Sequence, residues 1–298
     1  MLLRRTVLLA PLAAAVPPAS AATPKMTLSM HQNTSRAAGY RKSLEGWAKA
    51  GIKNVEVTDN MLDAFLKDDT IEAAKKIISD NGLKLVSCAA VLPDMFLPRD
   101  TRMKSLETWK KRCDQFAALG VDRAYCPSVT SGKVTAEDYK GAPDCIREFG
   151  DVAKARNLIG MIEFARTSTL IATLTTSLKL IREAAHPNVK QLFDCYHFYS
   201  FMGKLEDLDT IKTGEIGHVH FQDVPDIPRE LLDSNTRGIP GTGISPLTTI
   251  LSKLSSKGYA GPLSVELFAP EFTNGDPQEV ATKIKASSEE VMKKAKVL

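Results

Sequence analysis

The sequence predicts an α/β fold, a (β/α)₈ barrel that forms one domain after an N-terminal signal peptide. Short β-rich segments alternate with longer amphipathic segments, which is typical of parallel strands joined by crossover helices. Eight such units occupy the roughly 275 residues that follow the leader, close to the usual size of this barrel. No linker interrupts the alternation, so we predict a single domain.

The first 22 residues are predicted to be a signal peptide. Arg4 and Arg5 precede the apolar run "VLLAPLAAAV", and Ala19, Ser20 and Ala21 form an A-x-A cleavage site. This run of 10 residues is shorter than the roughly 20 that a membrane-spanning helix needs, so we expect no membrane anchor. We assign 1–22 to the signal peptide and 23–298 to the barrel. Export to the periplasm follows, by the twin-arginine route or by the Sec route.

Composition limits the classes of partner. Removing the leader leaves 37 basic residues against 35 acidic ones, and this near-neutral balance argues against nucleic-acid binding. The five cysteines are odd in number and lack C-x-x-C spacing, so neither a disulfide framework nor a thiolate zinc site is expected. A small-molecule substrate is the expected partner, and assembly into a homo-oligomer is left open.

Eight strands are predicted, at 26–32, 54–58, 84–90, 123–128, 158–164, 189–197, 216–223 and 262–268. The helical segments between them often end at a glycine just before the next strand, as in "DNGLKLV" and "ALGVDRAY". A doubly wound sheet is the alternative, but it would normally carry a Gly-rich phosphate-binding turn after its first strand. The stretch "HQNTSRAAGY" has no such turn, which favours the barrel.

Polar side chains interrupt the apolar pattern near the ends of the last four strands. They are Glu163, Asp194, the pair His218 and His220, and Glu266. In a (β/α)₈ barrel the carboxyl ends of the strands meet at one rim, where the chemistry collects. A single buried acid could be satisfied by local hydrogen bonds, but three carboxylates and an imidazole together would require a cation. Oxygen ligands with one nitrogen suit Mn²⁺, Mg²⁺ or Co²⁺.

The motifs "DCYH", "HVHFQDV", "RGIPGTG" and "GYAGPLSVELF" resemble those of the xylose isomerase-like TIM-barrel family. This family includes ketose 3-epimerases, hydroxypyruvate isomerases and inosose dehydratases, and the resemblance covers nearly all of the chain after the leader. It implies one divalent metal ion, with Mn²⁺ favoured and Mg²⁺, Co²⁺ or Zn²⁺ as alternatives. The implied ligands are Glu163, Asp194, His220 and Glu266.

The same resemblance implies a sugar isomerase or epimerase that moves a proton next to a carbonyl through a metal-stabilised enediolate. Glu163 and Glu266 would be general base and general acid on opposite sides of the carbon. His197 would donate a hydrogen bond or carry a proton, and Arg237 would steady the enediolate. His31 and Glu56 are predicted substrate contacts, alongside His197 and Arg237. The alternative for His31 and Glu56 is a polar residue at a surface loop or strand end, and for Arg237 a solvated loop residue.

Two departures from the family pattern leave the reaction open. Thr169 stands where epimerases often carry a second glutamate, and the stretch 224–240 after strand seven is long enough to form a substrate lid. An exported lyase or hydrolase of 3-keto-glycosides, using the same metal site, is therefore the main alternative. A DNA-repair zinc endonuclease would need more histidines than the five present, and a catalytically silent sugar-binding barrel need not keep four ligands.

Overall fold

The computed structural model describes residues 25–298, so the predicted signal peptide lies outside the described residues. Eight parallel strands close into a barrel in chain order, which confirms the predicted TIM-barrel fold. The strands are β1 (Thr27–His31), β2 (Asn54–Thr58), β3 (Lys84–Ala89), β4 (Arg123–Pro127), β5 (Ile159–Glu163), β6 (Val189–Asp194), β7 (Ile216–His220) and β8 (Pro262–Val265).

Helices surround this barrel. They are α1 (Gly39–Lys49), α2 (Asp59–Phe65), α3 (Ile71–Asp80), α4 (Met103–Leu119), α5 (Ala136–Lys154), α6 (Leu174–Ala184), α7 (Cys195–Tyr199), α8 (Leu247–Ser256), α9 (Pro270–Thr273) and α10 (Pro277–Lys294). Short 3₁₀ turns lie at Gln32–Ala38, Asp100–Arg102, Leu205–Thr210, Arg229–Leu231 and Ser234–Thr236. No described helix combines the length and apolar character needed to cross a membrane.

Strand six is shorter than its predicted range of 189–197. It ends at Asp194, whose carboxylate accepts the backbone N–H of His197 at 2.5 Å and so caps the short helix α7. A side chain that satisfies a free N–H at a helix start competes with continuation of the strand. His197 therefore lies on a helix, one turn beyond the barrel rim. Strand seven also ends earlier than predicted, at His220.

The inside of the barrel has a polar half and an apolar half. Alternate residues of a strand face the same way, so Ser29 and His31 share the inner face of β1. On the polar half, the inner layer below the rim contains Ser29, Glu56, Ser87, His218 and Ser264, all buried. On the other half, Ala89, Tyr125, Met161 and Leu192 pack together. Outward-facing residues pack against the helices in the main core.

The five cysteines are buried and unpaired. Helix ends follow the prediction, because Gly51, Gly82, Gly120 and Gly258 all have positive φ, from 61° to 88°. This left-handed conformation ends a helix sharply, and glycine adopts it without the steric cost that a Cβ brings. The glycine before a strand thus turns the chain back into the barrel.

We expect Gly120→Ala to lower the free energy of unfolding by about 1 kcal/mol, because residue 120 has φ of 88° and a Cβ is strained there. Gly132 is the matched control, since its φ lies outside the left-handed region and an added Cβ would meet no atom within 4 Å. Urea unfolding of both variants tests this. Equal stability of Gly120→Ala and wild type would contradict the expected strain.

Candidate metal centre

The four predicted ligands meet at the carboxyl rim of the barrel. Glu163, Asp194 and His220 are the last residues of β5, β6 and β7, and Glu266 follows β8 by one residue. Asp194 and His220 are paired in register, which holds them at one level. One donor atom from each of the four side chains lies within 4.8 Å of all the others, and all four residues are buried.

The His220 ring points one nitrogen at the three carboxylates. Its Nδ1 lies 2.9 Å from Glu163 Oε1, 3.5 Å from Asp194 Oδ2 and 3.6 Å from Glu266 Oε2. Three carboxylate oxygens and one imidazole nitrogen converging in this way fit a single hard or borderline divalent cation. The spacing and chemistry of the donor set therefore agree with the predicted metal site.

Arg237 lies in this cluster and is only 4% exposed, so the alternative of a solvated loop arginine is wrong. Its Nη1 donates to Asp194 Oδ2 and to Glu266 Oε2, each at 2.8 Å. The guanidinium carbon Cζ lies 5.1 Å from the centroid of the Tyr196 ring and 5.2 Å from that of the Phe268 ring. Cation–π contacts of this kind fix a guanidinium in a partly apolar wall. Arg237 is thus a buried and hydrogen-bonded component of the site.

His197 is 9% exposed and lies beside Arg237. Its Nε2 lies 3.1 Å from Arg237 Nη2, and its Nδ1 faces the backbone N–H of Arg166 at 3.4 Å. Burial lowers the pKa of His197 to about 4, so the ring is neutral at pH 7 and accepts from the guanidinium. Its contact with a substrate stays a prediction.

His31, the last residue of β1, and Glu56, in the middle of β2, are both fully buried and not on the surface. His31 Nε2 lies 3.0 Å from the Tyr125 hydroxyl, and its Nδ1 lies 3.4 Å from Glu266 Oε1. Glu56 contacts His220 on the ring edge opposite the three carboxylates, with Oε2 3.2 Å from His220 Nε2. His31 is therefore adjacent to the cluster, while Glu56 lies behind it. A substrate role for either stays a prediction.

Three contacts of the cluster were missed by the sequence reasoning. Asn33 donates its amide to Glu266 Oε1 at 3.1 Å, and Gln222 donates to Asp194 Oδ2 at 2.6 Å. Tyr125 holds His31 from β4. Gln222 stands two residues after His220 in "HVHFQD", which was the available signal. Asn33 and Tyr125 reach the site only through the closure of the barrel, which no local pattern shows.

Asp223 holds the loop that carries Arg237. Its two carboxylate oxygens accept four backbone N–H groups at 2.9–3.0 Å, from Val224, Gly241, Gly243 and Ser245. Its backbone also pairs with Gly238 in both directions at 2.9 Å. A Cβ at position 243 would come 2.1 Å from the Val224 carbonyl oxygen, so only glycine fits there. The "PGTG" turn is therefore folded around this aspartate.

The stretch 224–240 packs onto the neighbouring loops. The Leu232 carbonyl accepts Arg166 Nη1 at 2.8 Å, and the Asp233 carbonyl accepts the Tyr196 hydroxyl at 2.7 Å. These hydrogen bonds join the segment 224–240 to the residues that follow β5 and β6. Movement of this segment as a lid stays a prediction.

The carboxylates of the cluster differ in proton affinity. Burial raises the pKa of Glu163 to about 8, in spite of the nearby His220. Burial would also raise the pKa of Glu266, but His31 and Arg237 outweigh it and lower that pKa below its usual value. For Asp194 burial is outweighed by Arg237 and His197, and its pKa falls well below the usual range. The pKa of His220 is raised well above its usual value, because the surrounding carboxylates outweigh its burial.

Comparison with known proteins places the chain in a family. The model of the xylose isomerase-like TIM barrel family matches residues 44–293, so the chain belongs to this family and the resemblance read from its motifs is confirmed. An inosose isomerase from Halalkalibacterium halodurans is 27% identical over 259 residues, which cover 85% of this chain and 91% of that protein.

Two further relatives extend the comparison. A 3-dehydroshikimate dehydratase from Pseudomonas putida is 25% identical over 234 residues, which cover 78% of this chain and 36% of that protein. The crystal structure of the IOLI protein with a bound zinc atom has the same fold, with a TM-score of 0.84, 23% identity, and coverage of 92% of this chain and 99% of that chain. The chain is an enzyme of the xylose isomerase-like family.

We expect the affinity of the site for Zn²⁺ to rise with pH between pH 6 and pH 8. His220 Nδ1 lies 2.9 Å from Glu163 Oε1, and both groups have raised pKa values, so we expect this contact to hold a proton that a cation must displace. Raising the pH removes this competing proton, so affinity increases by up to about tenfold per pH unit for each proton released. Competition titrations against a chromophoric chelator at pH 6, 7 and 8 measure the zinc affinity at each pH.

Glu163→Gln removes one of the two groups that share the proton. The zinc affinity of this variant should therefore depend less steeply on pH than that of the wild-type protein. An affinity for Zn²⁺ that does not change from pH 6 to pH 8 in the wild-type protein would show that the shared proton is not displaced.

Proposed function

We propose that this enzyme is a divalent-metal-dependent isomerase or epimerase of a small keto-sugar or keto-polyol, with Glu163, Asp194, His220 and Glu266 as ligands. The observation that carries the proposal is the convergence of three buried carboxylates and one imidazole within 4.8 Å. Two of these carboxylates, Glu163 and Glu266, come from β5 and β8 and approach the centre from different sides.

A bound divalent ion would polarise the substrate carbonyl and offset the negative charge that develops when the neighbouring C–H loses its proton. The donor set also accommodates zinc, the ion named for the IOLI structure, and we keep Mn²⁺, Mg²⁺ and Co²⁺ as alternatives. Arg237 adds a fixed positive charge beside the same oxygens, with Nη1 2.8 Å from both Asp194 and Glu266.

The two glutamates are suited to opposite proton transfers. Glu266 is held ionised by His31 and Arg237, which suits removal of the proton. Glu163 has the higher proton affinity, which suits return of a proton to the carbon. A cation shared by both carboxylates would lower the pKa values of both. His197, neutral and bonded to Arg237, would orient the guanidinium toward a substrate oxygen.

The substrate class proposed is a cyclic or open-chain polyol ketone. The similarity to an inosose isomerase over most of both chains supports it. Thr169 replaces the second glutamate expected of epimerases, and its hydroxyl oxygen lies 2.6 Å from the Gly132 carbonyl oxygen and 3.0 Å from that of Thr130. Because this hydroxyl is engaged in joining two loops, it is unavailable for proton transfer. Isomerisation, which needs fewer acid and base groups, is therefore favoured over epimerisation.

A lyase is the second candidate. The similarity to a 3-dehydroshikimate dehydratase supports it, because loss of a proton next to a carbonyl also starts the elimination of a β-substituent. An exported enzyme would meet 3-keto-glycosides, and the leader-like residues 1–22 support periplasmic export. We propose a small carbohydrate or keto-sugar as the substrate, with no role for nucleic acid.

Proton NMR in D₂O tests the reaction class. The protein would be loaded with Zn²⁺ or Mn²⁺, incubated with inososes, ketoses, hydroxypyruvate and 3-keto-glycosides, and stripped of metal before spectra are recorded. We expect deuterium next to the carbonyl of a recovered or isomerised substrate, and none with Glu266→Gln, because that variant lacks the ionised base. Release of an aglycone or water without isomerisation would favour the lyase. Exchange at the wild-type rate in Glu266→Gln would refute the assigned base.

A further inference from the structure

The two nitrogens of His220 face different groups. Nδ1 faces the three carboxylates of the metal centre, at 2.9–3.6 Å. Nε2 faces Glu56 Oε2 at 3.2 Å, on the opposite edge of the ring. A neutral imidazole carries one proton, so only one edge can offer a lone pair to a cation. Which nitrogen of His220 binds the cation therefore depends on which neighbouring group accepts the ring N–H.

We propose that Glu56 is a positioning residue that holds the proton of His220 on Nε2 and so presents Nδ1 to the metal. A carboxylate that accepts the outer N–H of a metal-binding histidine fixes both the tautomer and the orientation of the ring, and it makes the ligand more basic. This inference rests on the proposed metal site. It reassigns Glu56 from a substrate contact to a support of a ligand.

Glu56 is itself fixed in this place. It lies on β2, paired in register with His31 on one side and Ser87 on the other, and it is fully buried. Its Oε2 also contacts His218 Nε2 at 3.2 Å, and that nitrogen lies 3.0 Å from Ser264 Oγ. Among the described residues, Glu56 has no lysine or arginine partner within ion-pair distance. Its only charge partners there are the two imidazoles.

The geometry separates Glu56 from the acids that face the cation. Those acids cluster on the Nδ1 edge, whereas Glu56 contacts only the Nε2 edge of the same ring. His218 lies two residues before His220 on the same strand, so its side chain faces the same interior one layer deeper. The sequence pattern "HVH" is thereby explained: the second histidine faces the metal centre, and the first helps to hold the glutamate.

Zinc binding by the purified full chain tests the proposal, with Zn²⁺ as the only probe. Glu56→Gln keeps the size of the side chain but removes its charge, and we expect it to weaken zinc binding roughly 10- to 100-fold. Ser87→Ala is the matched control. Ser87 is equally buried and next to Glu56 in register, but its hydroxyl has no hydrogen-bond partner, so zinc affinity should be unchanged.

Nitrogen-15 NMR of histidine-labelled, zinc-loaded wild-type protein gives a readout that needs no variant. We expect a zinc-shifted Nδ1 and a protonated Nε2 for His220. A proton on Nδ1, or zinc affinity of Glu56→Gln equal to wild type, would overturn the positioning role while the metal site stands. Absence of zinc binding by wild type would overturn the proposed function as well as this inference.

Discussion

The accumulation of buried negative charge at one rim of the barrel is the constraint on which the site depends. Glu56, Glu163, Asp194 and Glu266 are all nearly inaccessible to water, and Arg237 is the one guanidinium bonded to them among the described residues. An unpaired buried carboxylate is costly, and removing a partner from a buried ion pair leaves an uncompensated charge. A divalent cation would balance what Arg237 and the histidines leave uncompensated.

The position of Arg237 links this charge balance to the loop after β7. The guanidinium reaches two carboxylates only because Asp223 gathers the turn 241–245 and pairs with Gly238, the neighbour of Arg237. The rings of Tyr196 and Phe268 also contact the guanidinium. Asp223, Tyr196 and Phe268 thus fix Arg237 beside the carboxylates of the site. Asp223 of "HVHFQDV" and the turn in "RGIPGTG" therefore form one structural unit.

The barrel fold, and the clustering of its main polar groups at one rim, could be predicted from the sequence. Alternation of strand and helix, with glycine at helix ends, predicts eight parallel strands, and parallel strands must end at one rim. Glu163, Asp194, His220 and Glu266 were found because each interrupts an apolar strand end. The end of β6 was misplaced, because Cys195, Tyr196 and Phe198 continue the apolar pattern while the Asp194 side chain starts a helix there.

Contacts across the barrel could not be read from the sequence. That Glu56 faces His220 depends on barrel closure and on the rotamers of both side chains, and the partners of Asn33 and Tyr125 depend on the same closure. Single-residue patterns also do not separate a histidine that binds a metal from one that supports it. His218 and His220 lie two residues apart on one strand and differ in their depth in the barrel and in their partners.

The most direct test of the central claim is a crystal structure of the Mn²⁺-loaded protein with anomalous data collected near the manganese absorption edge. The account predicts one strong peak at the rim, about 2 Å from His220 Nδ1 and from an oxygen of each of Glu163, Asp194 and Glu266. Under saturating Mn²⁺, the absence of a peak at these four side chains, or a peak bound through His220 Nε2, would contradict it.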